Sequence, residues 1–216
     1  MDEQTSTPRR RHPLLRTVRD IVETLLLAAI LYVGVRSFVL PYQVEGASMT
    51  PNLQNRERLL VNRSAYAHFD ANAIWNLLPG QDRMDTSEVY PFDPPQRGDI
   101  IVFNPPQQSD KPYIKRIIGL PGDTVSFTAG HVFINGEAMD ESYIDGAITD
   151  CEGPNCNVGP IPDGSVYVLG DNRPNSTDSR RFGLVTMDRV IGKVFFTNWP
   201  LDDIGPVSHA SDPDQG

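Results

Sequence analysis

Tyr113-Ile114-Lys115-Arg116-Ile117-Ile118-Gly119-Leu120 sets two adjacent cations inside an apolar run and reads as a β-strand. Alternation puts Tyr113, Lys115, Ile117 and Gly119 on one face and Arg116 on the other. The same kind of segment recurs outward from it in both directions: Asp99–Phe103 and Arg58–Asn62 before it, and Thr124–Phe127, His131–Ile134, Ser165–Leu169 and Val190–Phe196 after it. These runs are short and rich in Val, Ile, Phe and Tyr, and the 19 prolines and 17 glycines break the chain into frequent turns. That combination favours strands over long helices and makes the body mainly β. Asn135-Gly136 is a strong hairpin turn, while Pro121-Gly122-Asp123 and Pro162-Asp163-Gly164 mark two further reversals. With 216 residues, 39% of them hydrophobic, the chain can bury one sizeable core extended by a second lobe.

One segment departs from this pattern. Residues 18–40 are apolar, with LLLAAILYVGV at the centre and charges only near the ends (Arg19, Asp20, Glu23, Arg36). About 20 helical residues cover the roughly 30 Å hydrocarbon layer, so this stretch is long enough to span it if Glu23 and Arg36 lie near the interfaces. Arginines precede it (Arg9, Arg10, Arg11, Arg16), and past Arg36 none appears until Arg56. The positive-inside rule then keeps residues 1–17 in the cytoplasm and exports the body. No small-x-small site follows the apolar run closely, which argues for an uncleaved anchor over a cleaved leader. Residues 1–36 carry six basic and four acidic groups, net +2; taking that from the overall −9 leaves −11 for the rest. Such an acidic body repels phosphate backbones, so nucleic acid is not an expected partner.

The exported part is expected over 41–206. Within it residues 64–97 look inserted: Tyr66, Phe69, Ala73, Trp75 and Leu77 could share one side of a short helix that covers the core, or Trp75 and its leucines could dip into the bilayer interface. Arg97-Gly98-Asp99 resembles an adhesion tripeptide but reads more simply as the turn into strand IIVF. Cys151 and Cys156 can form a disulfide on the exported side, closing a loop too short to hold up the fold. A metal site has no further ligands beside them. Residues 207–216 read as a disordered tail.

Candidate chemistry begins at Gly46-Ala47-Ser48-Met49-Thr50-Pro51. A serine hydroxyl needs a neighbouring base and a group to steady the oxyanion. His12 and His209 lie in the terminal segments, and His68 and His131 sit in the insertion and a hairpin. The three lysines offer an alternative, since a buried lysine can be neutral near pH 8. Lys111 sits among polar residues and should stay charged. Lys115 and Lys193, the latter in Ile191-Gly-Lys-Val-Phe195, both lie in apolar strands, and periodicity does not separate them.

GASMTPNL, RGDIIVF, YIKRIIGLPGD and GDNRPNSTDSRRFG, in that order after an N-terminal anchor, together resemble the type I signal (leader) peptidases, membrane-anchored serine proteases with a Ser/Lys dyad. The resemblance spans residues 41–183. It implies Ser48 as nucleophile and Lys115 as general base, with Ser176 hydrogen-bonded to the lysine. It also implies an Asp178–Arg180 pair and an Asp171–Arg116 pair that support the site. The implied fold is a β-barrel-like core with a smaller β extension, expected over 121–165, and no metal or cofactor is implied. The implied substrates are signal peptides of exported preproteins, cut after small-x-small (Ala-x-Ala) sequences; the lipid bilayer and the export machinery are the other expected partners. Some relatives have a serine two positions before the nucleophile as an oxyanion donor, where this chain has Gly46. A self-cleaving Ser/Lys protease and a catalytically silent, membrane-tethered peptide-binding module are the competing readings.

Overall fold

The structure, a computed structural model, describes residues 13–67, 69–70, 88–89 and 93–208. It divides into two units, residues 1–38 and 39–216. The first is a single helix, α1 (Pro13–Phe38), whose segment Arg16–Phe38 is long and apolar enough to cross a membrane. Its leucines and isoleucines, from Ile21 to Val35, are exposed. Near its start Arg19 reaches Glu23 at 3.3 Å one turn on and Asp20 at 3.5 Å. Those charges therefore partly neutralise one another. The helix is displaced from the expected 18–40: it begins at Pro13, and Val39 and Leu40 already pair with Asn62 and Val61 in the first strand. Leu40-Pro41 explains the end, because the residue before a proline is pushed out of helical geometry.

The second unit is built on an eight-stranded antiparallel sheet. Its strands are β1 (Val39–Gln43), β2 (Arg58–Asn62), β5 (Ile100–Phe103), β6 (Tyr113–Gly119), β11 (Ser165–Leu169), β12 (Val185–Thr186), β13 (Val190–Trp199) and β14 (Gly205–Pro206). The order is β1-β2-β13-β5-β6-β11-β12, with β14 on β13. In a flat sheet β1 and β6 would stand four spacings, about 19 Å, apart. Residues of both strands nevertheless line one cleft, so the sheet is curled. The predicted barrel-like core is thus a curled sheet in which end strands β1 and β12 do not pair with each other among the described residues.

Strand β5 shows how the curl is filled. All four residues of IIVF are fully buried, and they alternate: Ile101 and Phe103 join a cluster with Ile117, Val166 and Val168, while Ile100 and Val102 join one with Val44, Met49, Leu53, Leu59, Val61 and Val194. A third cluster, of Ile118, Val125, Val132, Ile134, Ile161, Tyr167 and Leu169, joins the main sheet to the predicted extension. There β7 (Val125–Thr128), β8 (His131–Ile134), β9 (Glu137–Ala138) and β10 (Asn157–Val158) form a sheet in the order β10-β7-β8-β9. Asn135 and Gly136 link β8 to β9 with φ of 53° and 86°, the left-handed pair that a type I′ turn requires.

The expected helix in 64–97 is not what begins there. Tyr66 is buried in the core and donates its hydroxyl to Asp99 at 2.7 Å, and Phe69–Asp70 (β3) pairs with Glu88–Val89 (β4). Ala73, Trp75 and Leu77 lie outside the described residues, as does the tail from His209 onward. Of that expected tail, Val207 packs on the core and bonds through its N–H to the Phe195 carbonyl. Arg97-Gly98-Asp99 is a structural turn: Arg97 pairs with Asp123 at 3.0 Å, and Asp99 is buried.

Candidate active site

Ser48 lies in a loop between β1 and β2, and that loop is held from behind. The Ser48 carbonyl accepts the Asn172 N–H at 3.0 Å, and the Asn172 side-chain amide donates to the Ala47 carbonyl at 3.0 Å and Thr50 Oγ1 at 2.8 Å. Met49 and Leu53, buried in the core, pin the far side of the turn. The hydroxyl is left facing the cleft, opposite β6.

Lys115 Nζ is 2.7 Å from Ser48 Oγ and donates to the Ile114 carbonyl at 2.8 Å. The lysine is 3% exposed, and Nζ stands 5.5 Å from the centre of the Tyr113 ring. Burial penalises the ammonium and pushes its pKa down to about 8, against the opposing pull of Asp178 and Asp171. A neutral amine at this distance can take the hydroxyl proton. Lys193, equivalent by periodicity, is 23% exposed and forms an ion pair with Asp99 at 2.6 Å, and the serine's hydroxyl bonds to Lys115 instead. Among the histidines, only His131 is described, and it is exposed on β8.

The two expected acid–base pairs are both present. Arg116 makes a bidentate contact with Asp171, 2.9 and 2.7 Å, with both side chains almost completely buried, and its Cζ lies 4.3 Å from the centre of the Tyr143 ring. Asp178 accepts from Arg180 at 2.8 Å through each oxygen and caps α2 (Ser179–Phe182) through the Arg180 N–H. Arg180 also ties this turn to the carbonyls of Arg173 and Asp150. Cys151 and Cys156 are joined in a disulfide, and Asn155 inside that loop donates to the Arg181 carbonyl at 3.3 Å.

Ser176 differs from its expectation. Its buried Oγ has no hydrogen-bond partner and lies against Gly170, while Lys115 Nζ is bonded to Ser48 and Ile114 instead. A Cβ at Gly170 would stand 2.2 Å from Ser176 Oγ and 2.5 Å from the Ser48 carbonyl oxygen. Both groups therefore crowd one point behind the nucleophile. The loop residues that hold Ser48, Asn172 above all, were not singled out from sequence. Their partners are more than 120 positions away, and only the polar GDNR segment hinted at them.

Ser48 and Lys115 sit in a cleft of about 530 Å³ lined by Tyr42, Val44, Met49, Val102 and Ile114 among others. Two strand edges open onto it. Among the described residues, β1 is the end strand of the sheet, and β6 pairs with β11 only from Arg116 onward, leaving Tyr113–Lys115 unpaired on that side. Gly46 donates its N–H to Asn55 Oδ1 at 3.0 Å, whereas the Ser48 N–H meets no acceptor among the described residues.

The family model described as signal peptidase, peptidase S26, matches residues 18–199. A probable signal peptidase I-2 of Synechocystis sp. is 33% identical, over 93% of this chain and 82% of its own length. Signal peptidase I S of Bacillus subtilis is 35% identical, over 88% and 93%. A crystal structure of a signal peptidase I from Enterococcus faecalis aligns at 36% identity with a TM-score of 0.41, over 47% of this chain and 97% of that one. A match that runs from within α1 to the end of β13, with relatives similar along most of both chains, makes this protein a member of the signal peptidase family, peptidase S26.

Proposed function

We propose that this protein is a membrane-anchored endopeptidase that removes N-terminal signal peptides from exported preproteins at small-x-small sites, with Ser48 as nucleophile and Lys115 as general base. The observation that carries the reading is a buried amine 2.7 Å from a hydroxyl in a cleft with two unpaired strand edges. An extended peptide can add to those edges, which would lay its backbone across Ser48. The apolar lining from Val44, Met49 and Ile114 favours small side chains over charged ones. Neutral Lys115 takes the Ser48 proton as Oγ attacks the scissile carbonyl, and the Ser48 N–H steadies the oxyanion. Collapse breaks the C–N bond, the lysine ammonium protonates the departing amine, and water then hydrolyses the ester with Lys115 again as base. Asp171–Arg116 and Asp178–Arg180 act as supports behind the dyad.

Helix α1 serves as the anchor, with residues 1–17 in the cytoplasm and the catalytic unit on the outer side of the cytoplasmic membrane. Ser48 is ten positions on from Phe38, a reach of at most about 36 Å, which keeps the nucleophile close to where a preprotein leaves the export machinery and the bilayer. The test is cleavage of a separate preprotein by the wild type, Ser48→Ala and Lys115→Ala, all reconstituted in lipid. Wild type should release the mature chain and each variant should release none. Cleavage of its own chain alone, or processing retained in either variant, contradicts the reading.

A further inference from the structure

Glu45 and Lys111 form an ion pair although they come from opposite walls of the cleft, Glu45 from the chain after β1 and Lys111 from the loop before β6. Both side chains are mostly exposed, 62% and 69%, and both line the same cleft as Ser48. Apart from Lys115 at the floor, they are the only charged residues that do so among the described residues. The pair spans the gap between the two open strand edges.

We propose that Glu45 and Lys111 are specificity-determining residues: as a self-neutralising pair at the rim, they set how the cleft tolerates charge on the substrate residue that passes between them. The inference rests on the reading of the cleft as the peptide-binding site. A peptide strand inserted between the two edges separates the partners and brings one outward-facing side chain between them. With both present, a substrate acid gains Lys111 and meets Glu45, a substrate base gains Glu45 and meets Lys111, and the two preferences cancel. Removing either partner leaves a single rim charge with nothing to oppose it. Exposed charges act in high dielectric, so each preference should be modest and sensitive to salt.

The experiment uses the full-length protein in detergent or lipid and a set of peptides carrying one small-x-small site. Asp, Ala or Lys is placed in turn at each of six positions around the cut other than the two that must be small, and the ratio of kcat/KM for charged and neutral peptides is taken within each enzyme. At one of those positions Glu45→Gln should shift the ratio about two- to fivefold toward Asp, and Lys111→Met by a similar factor toward Lys, both shifts shrinking in 1 M salt. Ratios that match wild type at all six positions in both variants overturn the proposal. Failure of wild type to cut the all-neutral peptide is a separate result, which sinks the signal-peptidase reading itself.

Discussion

Lys115 is the third residue of β6, and its environment accounts for its chemistry. A folded-state pKa near 8, below the ordinary 10.5, means the native protein releases this proton before the unfolded chain does. The rate of cleavage should therefore rise as pH passes through about 8 and then level off, and a rate that is flat from pH 6 to 10 contradicts a titrating amine. The same shift has a stability consequence of fixed sign. Below pH 8 the burial penalty is felt in full, and between 8 and 10.5 it is relieved, so stability gains with pH there. Compared with Lys115→Met in urea titrations, the wild type should improve across that window. Lys193 provides the control: Lys193→Met removes an Asp99 partner and should cost about 1 kcal/mol of stability while cleavage persists. Sequence brought both lysines forward and could not rank them by periodicity, because what separates them is a distant partner. Asp99 waits for Lys193, and Ser48 for Lys115.

The elements explain why short polar segments matter as much as strands. The loop from Gly170 to Asp178 packs against the nucleophile turn so closely that no side chain fits at Gly170. Gly170→Ala should displace the Ser48 backbone and lower kcat by about 10²-fold, a loss of the size that 1 Å misplacements produce. Asp171→Ala strands a buried guanidinium and should destabilise the fold by about 3–5 kcal/mol, read from denaturant midpoints. Ser176→Ala, in contrast, deletes a buried hydroxyl without a partner, so stability should hold or improve. The strands that were legible, such as His131–Ile134 and Ser165–Leu169, are apolar runs closed by turns, where period and propensity agree. Val39 and Leu40 continue the apolar run of the expected anchor, and only their pairing with Asn62 and Val61 places them in β1. Two-residue strands such as β12 and β14 carry too few side chains to leave any period.

Across the whole molecule the division at Phe38 separates a helix long and apolar enough to cross a membrane from a unit with its own core. A chain beginning at Val39 should stay folded and cut short peptides in solution. One beginning at Gln43 loses most of β1 and exposes Val61 and Leu59, and circular dichroism on heating should show a lower midpoint. Net charge, the long apolar helix and the mainly-β class are legible in the sequence, because each depends on residues added up or running together along the chain. The curl that brings β6 to Ser48 is not, because it depends on which strands pair. The central claim is that Lys115 is the buried amine that loses its proton, and with only three lysines in the chain it can be titrated directly by NMR of isotopically labelled side chains. One resonance, lost in Lys115→Arg, should titrate near pH 8 in the active protein; if all three titrate near 10.5, the account is wrong.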